Sequence, residues 1–228
     1  MTLLAYQQAL CDLVASPELC LRVREDAQSA LAQYALTARE RKRLAAVVRQ
    51  PGMSTSCTLH RVNRMTPIFT YLPLTCFLLG DSLIGEAQRF WAEGAPPDLQ
   101  FGPETERFGR FLRQRLERRL LDDPYLGEVL AFELAVNRLR VASSRVAEDP
   151  PAPAADAGQT RIRGLHPLAA LVRFDHDPLP ILDALGDRCL PEPEPERGEF
   201  FLLLDARGGG IALSEIARDR VEALVASP

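Results

Sequence analysis

Between Arg61 and Arg140 the chain carries one apolar helical stripe after another, each cut off by proline or glycine, and no recognisable catalytic constellation. Leu59, Val62, Met65, Phe69 and Leu72 recur at three- and four-residue spacing. Leu83, Ile84, Ala87, Phe90 and Trp91 follow, then Phe108, Phe111, Leu112, Leu116 and Leu120. Such spacing predicts helices that each bury one face. Pro73, Gly80, the run Gly94 to Pro97, Pro103 and Pro124 supply the stops and starts between them. The stretch therefore predicts short packed helices that offer a surface to a partner.

The segments upstream are helical too. Leu3, Tyr6, Leu10 and Leu13 form a first stripe, and Ser16-Pro17 opens a second helix with Leu19, Cys20, Val23, Ala27, Ala30, Leu31 and Tyr34 inward. Thr37 and Glu40 have capping-box spacing for a third, ending at Pro51-Gly52. Its Arg39, Arg41, Lys42, Arg43 and Arg49 form a local basic cluster, which reads first as a solvated face and second as a docking patch for an acidic partner or a nucleic acid.

From Ala147 to Gly158 the composition becomes that of a proline- and alanine-rich linker. Beyond it the period changes. Leu168 to Phe174 and Phe200 to Asp205 are rich in strand formers, and Arg207 to Gly210 reads as a hairpin turn leading to Ile211, Ala212 and Leu213. A short helix is expected from Pro178 to Leu185, ended by Gly186, and Ser214 is expected to cap a last one carrying Ile216, Val221, Leu224 and Val225. The fold class is α+β: an all-helical domain at 1–147, a linker at 148–158, and a small domain at 159–228 with a short, mostly antiparallel sheet.

Charge limits the function. Of 27 basic and 31 acidic residues, 8 and 15 respectively fall in 148–228, so the second region is acidic and the chain carries a net −4. Tight nucleic-acid binding draws on clustered cations, which argues against that partner. All but one of the basic residues are arginine, a pattern of codon bias that says little about arginine chemistry. No apolar run reaches the roughly 18 residues of a membrane span, and the residues from Met1 to Gln8 lack the basic start of a signal peptide. A cytoplasmic protein without a membrane partner is expected. Cys11, Cys20, Cys57, Cys76 and Cys189 show no pair at metal or redox-motif spacing and are expected as free, buried thiols.

Candidate chemistry is sparse. Asp175, His176 and Asp177, with His166 nearby, could hold a metal, but read more simply as a turn whose aspartate caps the next helix. No metal site or cofactor is assigned to this chain. The glycine run at 208–210 lacks the lysine and serine or threonine of a phosphate loop, and no nucleophile elbow occurs. Glu133 falls near the apolar stripe of a helix expected from Pro124 to Val141. A buried carboxylate needs partners, so a bridge to Arg61, Arg64 or Arg140 is expected, or else a role in contacting a partner. Trp91 reads as core, with an interface anchor as the alternative.

The wording Arg61-Val-Asn-Arg64 through Leu72-Pro73, then Leu78-Leu79-Gly80, Phe90-Trp91-Ala92, Pro96-Pro97, Phe108, Phe111-Leu112, Pro124-Tyr125-Leu126 and Phe132-Glu133, resembles a known family. These are the partner proteins of the multinuclear non-haem iron oxidases that modify peptides, the group containing the methanobactin partner MbnC and HvfC. The resemblance covers a third to a half of the chain. It implies a non-catalytic subunit that pairs with such an oxidase, the iron lying in the oxidase, and that helps bind a ribosomally made precursor peptide. On this reading Arg61, Asn63, Arg64, Phe90, Trp91, Tyr125 and Glu133 are the candidate partner interface. Part of the family is described as DNA-binding, which makes a regulator using the basic helix at 38–50 the competing reading. For the peptide, a small sheet can accept an added strand at an open edge, expected at Glu199 to Asp205 or Leu168 to Phe174. Phe200, Phe201, Leu202, Leu203 and Leu204 are the candidate docking strand, and the acidity of the domain predicts basic residues in the peptide.

Overall fold

The computed structural model describes residues 3–93, 101–146 and 165–221. The expected linker at 148–158 lies outside them, as do Pro96, Pro97, Leu224 and Val225. The elements run α1 (Leu3–Ala15), α2 (Pro17–Glu25), α3 (Ala27–Ala30), α4 (Ala38–Val48), α5 (Pro51–Tyr71), α6 (Pro73–Leu79), α7 (Leu83–Ala92), α8 (Phe101–Glu117), α9 (Leu126–Val146), β1 (Ala169–His176), α10 (Pro178–Gly186), β2 (Arg197–Asp205) and β3 (Ala212–Glu215). The fold class is α+β, helices first and a small antiparallel sheet near the C-terminus.

The chain forms two compact units, residues 1–66 and 67–228. They divide inside α5, at Pro67, whose missing N–H removes one helical hydrogen bond. The division thus falls at a different place from the expected 1–147 and 159–228, because the sheet shares a core with a helix of the expected first domain. Ala135 and Leu139 of α9 pack with Val172 and Phe174 of β1 and Leu202 and Leu204 of β2.

In the first unit α1 to α4 and the start of α5 enclose Leu13, Val23, Leu31, Leu44 and Val48, all fully buried. Local chemistry sets the helix starts. Ser16 Oγ accepts from Leu19 N at 3.1 Å, and Thr37 and Glu40 form the expected reciprocal capping box. Cys20 and Cys57 both donate to the Leu13 carbonyl. All five cysteines are free, but Cys11 and Cys189 are exposed rather than buried.

In the second unit Phe90, Phe108 and Phe111 form an aromatic cluster between α7 and α8, with centroids 5.4 to 6.2 Å apart. Leu112, Leu126, Val129, Leu130 and Leu134 complete the buried faces of α8 and α9. Of the stripe expected on α5, Met65 and Leu72 are buried, but Leu59, Val62 and Phe69 are 57%, 53% and 49% exposed, and Cys57 and Ile68 are buried instead. Two stripes with helical spacing coexist there, and spacing alone does not rank them.

The sheet order is β1-β2-β3, antiparallel throughout. Ser214 sits in β3 opposite Leu203 and caps no helix. The turn at 207–210 is as expected, with Gly209 at φ +82°, where a side chain would be strained. Asp205 Oδ1 accepts from Arg207 N and fixes the turn's entry.

Candidate functional site

The site is built around the break between α5 and α6. A helix that ends leaves carbonyls without partners, and one that starts leaves N–H groups. Here α9 takes one of the carbonyls and two of the N–H groups. Asn137 Nδ2 donates to the Tyr71 carbonyl at 2.7 Å, while Glu133 Oε1 and Oε2 accept from Leu74 N and Thr75 N, each at 2.8 Å. Pro73 starts α6 without an N–H of its own. Glu133 and Asn137 lie one turn apart on α9, so a single helix face holds both ends of the break.

The expected arginine bridge to Glu133 is therefore replaced by two backbone amides. Arg61 pairs with Glu18 at 3.3 Å, and Arg140 makes no ion pair among the described residues. Two convergent N–H groups give both carboxylate oxygens a hydrogen bond without a second buried charge, but they leave the negative charge itself uncompensated. Burial is the dominant influence on Glu133 and raises its pKa, opposed by those amides and Thr75.

Beside this clamp lies a groove of about 690 Å³, a volume ordinary for a ligand site. Its walls include Phe132, Val136 and Arg140 of α9, Leu74 of α6, and Ile211 and Leu213 of the β2–β3 hairpin. Asn137 also lines it. Its Oδ1 is buried and has no hydrogen-bond partner among the described residues, and because Nδ2 must face the Tyr71 carbonyl, the unpaired atom is the acceptor.

The register shows which strand is open on this side. Ile216 N donates to the Phe201 carbonyl, so Phe201, Leu203 and Asp205 of β2 direct their backbone groups at β3. In β3 the alternate residues Leu213 and Glu215 then direct theirs away from β2. Leu213 lies opposite the buried Leu204, on the sheet face that meets α9. The expected docking strand needs correction accordingly. Phe200 to Leu204 belong to the central strand, where Leu202, Leu203 and Leu204 are paired with neighbours on both sides and have no row of free groups. The other expected edge, Leu168 to Phe174, does fall on an edge strand, β1, whose far end is tied at its bulge, where Asp175 N donates to Glu128 Oε2 at 2.7 Å.

The candidate partner interface also divides. Arg64, Phe90, Tyr125 and Glu133 are buried at 5%, 3%, 8% and 5% exposure, so direct contact with a partner is closed to them in this structure. They fill the core or carry its hydrogen bonds. Asn63 is exposed, and Arg61 and Trp91 are partly so. Within the basic cluster, Arg49 binds the Ala45 and Arg24 carbonyls, while Arg24 itself binds the Val48 carbonyl at 3.0 Å. Part of that charge serves the end of α4.

The aspartate–histidine turn is structural in the expected sense, since Asp177 Oδ1 accepts from Leu179 N and caps α10. His176 Nδ1 lies 2.9 Å from Glu128 Oε1 and its ring stands edge-on to Tyr125. His166 Nδ1 accepts from Leu168 N. Among the described residues no group of three or more histidine, cysteine, aspartate or glutamate side chains is arranged to hold a metal, and no single helix is long and apolar enough to cross a membrane.

The sequence does not show that Asn137 and Leu213 come together at one groove. The alternation Ile211, Leu213 after three glycines was the available signal for an edge strand, but Ser214 resembled a helix cap. No family model matches the chain, and a search of curated proteins finds no match.

Proposed function

We propose that the chain is a non-catalytic subunit that captures an extended precursor peptide and presents it to a multinuclear non-haem iron oxidase, in the making of a ribosomally synthesised, modified peptide. The observation that carries the peptide half is the open edge of β3 beside a groove whose wall holds an unpaired amide carbonyl. An added strand would gain main-chain hydrogen bonds from Leu213 and Glu215 and bury apolar side chains against Phe132 and Val136. Pairing with the oxidase is drawn from the resemblance at Arg61 to Glu133. The exposed Val62 and Asn63 of α5 offer contact area within that stretch, with Leu59 just before it, and the iron and oxygen chemistry belong to the oxidase.

Co-expression with an oxidase of that class, followed by size-exclusion chromatography and metal analysis, tests the pairing. A stoichiometric, iron-containing complex supports it. A lone iron-free chain removes the oxidase from the reading and leaves only peptide capture.

A further inference from the structure

We propose that the groove beside β3 selects a peptide segment with an acidic side chain, which Arg140 reads, while Asn137 Oδ1 accepts a main-chain N–H of the same segment. This rests on the peptide-binding reading above and gives the residue class that the peptide must carry there.

Three observations converge on it. Among the described residues the groove wall holds two side chains with formal charge, Glu133 and Arg140. Glu133 is buried, and both its oxygens are already engaged by the amides of Leu74 and Thr75, so its hydrogen-bonding capacity toward a ligand is taken up. Arg140 is exposed and has no ion pair or hydrogen bond among the described residues, so the solvent-exposed charge on this wall is positive.

Asn137, three residues before Arg140 on the same helix, is only 7% exposed, with Oδ1 unpaired. A buried acceptor left without a donor is destabilising, and a peptide N–H would relieve it where an apolar ligand would not. The two positions are separated by about 4.5 Å along the axis of α9, a span that a main-chain N–H and a neighbouring carboxylate cover.

The third observation is the direction of the sheet. Leu213 and Glu215 send backbone groups outward, so a strand added there places alternate side chains toward α9. The acidic total of 148–228 suggests a basic peptide, but total charge acts at long range, whereas selection in a groove is set by the desolvated charge that lines it. Glu215, outside the groove on the same strand, could instead favour a basic residue, and the test separates the two.

A display library of random dodecapeptides is panned against the full chain, against Arg140→Glu, and against Leu213→Pro. Proline at 213 removes an N–H that points away from β2, so the β2–β3 ladder stays intact; Glu215→Pro, equally outward, replaces it if that variant melts early. The expected result is a strand-forming consensus with aspartate or glutamate at one position, replaced by lysine or arginine in the Arg140→Glu selection. Wild-type binders should bind Arg140→Glu about tenfold more weakly, and the edge proline should abolish their binding.

Binders that depend on the β3 edge but show no acidic position, or one that Arg140→Glu leaves unchanged, overturn this inference and leave the peptide reading standing. A lysine or arginine consensus insensitive to Arg140 does the same in favour of Glu215. Failure to recover any binder sensitive to the edge proline overturns both.

Discussion

Glu133 and Thr75 lie 58 residues apart in sequence, yet Oε2 of the one accepts the backbone N–H of the other at 2.8 Å, so a side chain of α9 serves as the N-terminal cap of α6. The leucine at the usual capping position, Leu72, offers no side-chain hydrogen bond. Capping has been handed to another helix, which makes the break between α5 and α6 depend on tertiary packing. Replacing Glu133 by alanine strands two buried donors and is expected to cost about 2–4 kcal/mol. The Glu133→Gln change keeps one acceptor and should cost less, about 1–2 kcal/mol. Urea unfolding of Glu133→Ala and Glu133→Gln checks this, and an unchanged midpoint for the alanine variant rules out the capping role.

The same carboxylate sets a pH dependence. Burial raises Glu133, Glu128 and Asp123 above their ordinary values in the fold. A raised carboxyl favours the protonated form when folded, so its contribution to stability is fully present below the unfolded pKa and is lost as pH rises through the folded one. Glu18, Glu40 and Asp205 act oppositely. Hydrogen bonds hold them down, Asp205 to about 2, and their contribution is lost as pH falls through those lower values. Stability should therefore rise as pH is lowered from 7 toward the raised carboxyl values, then fall in stronger acid. Chemical unfolding across this range measures it, and Glu133→Gln should flatten the neutral limb. A wild-type limb that falls on mild acidification contradicts the assignment.

Several parts of this architecture could be read from the sequence, for reasons that are local. Ser16, Thr37 and Glu40 mark helix starts because capping acts within four residues, and Asp177 before Pro178 announces α10 in the same way. The glycine turn before β3 is local as well. The α5 face was not legible, since Leu59, Val62 and Phe69 have the same spacing as the residues that are buried. Glu133 was legible as a buried carboxylate but not its partners, because backbone amides leave no trace in a sequence whereas arginines do. The unit boundary escaped for a related reason: a proline-rich segment predicts an extended chain and says nothing about whether the elements on either side share a core.

Glu128 performs a second long-range task, taking Asp175 N at 2.7 Å and His176 Nδ1 at 2.9 Å where β1 bulges. It ties the first turn of α9 to the end of the strand. Glu128→Ala should cost about 2–3 kcal/mol through the donors it abandons. It should also raise hydrogen exchange at the Asp175 amide well above that of Val172, which is paired within the sheet. Equal protection of Asp175 in the variant and the wild type would show that the bulge is held by the strands alone.

Gly109 tests how closely α8 and α9 approach. A Cβ built at this position would meet the Leu134 methyls at 2.7 and 2.9 Å, and Leu134 is 1% exposed, so it has no open space to turn into. Nearby, Arg138 holds Glu106 through two bonds of 2.8 and 2.7 Å and fixes the helices' spacing. Alanine normally favours a helix over glycine by about 1 kcal/mol. Overpacking of about 1–3 kcal/mol opposes that gain at Gly109, giving a net loss for Gly109→Ala and none for Gly102→Ala, where the added methyl would enter open space. Thermal melts of the two variants side by side separate helix propensity from packing. A stabilised Gly109→Ala would mean that α8 and α9 can move apart, and with them the wall of the groove.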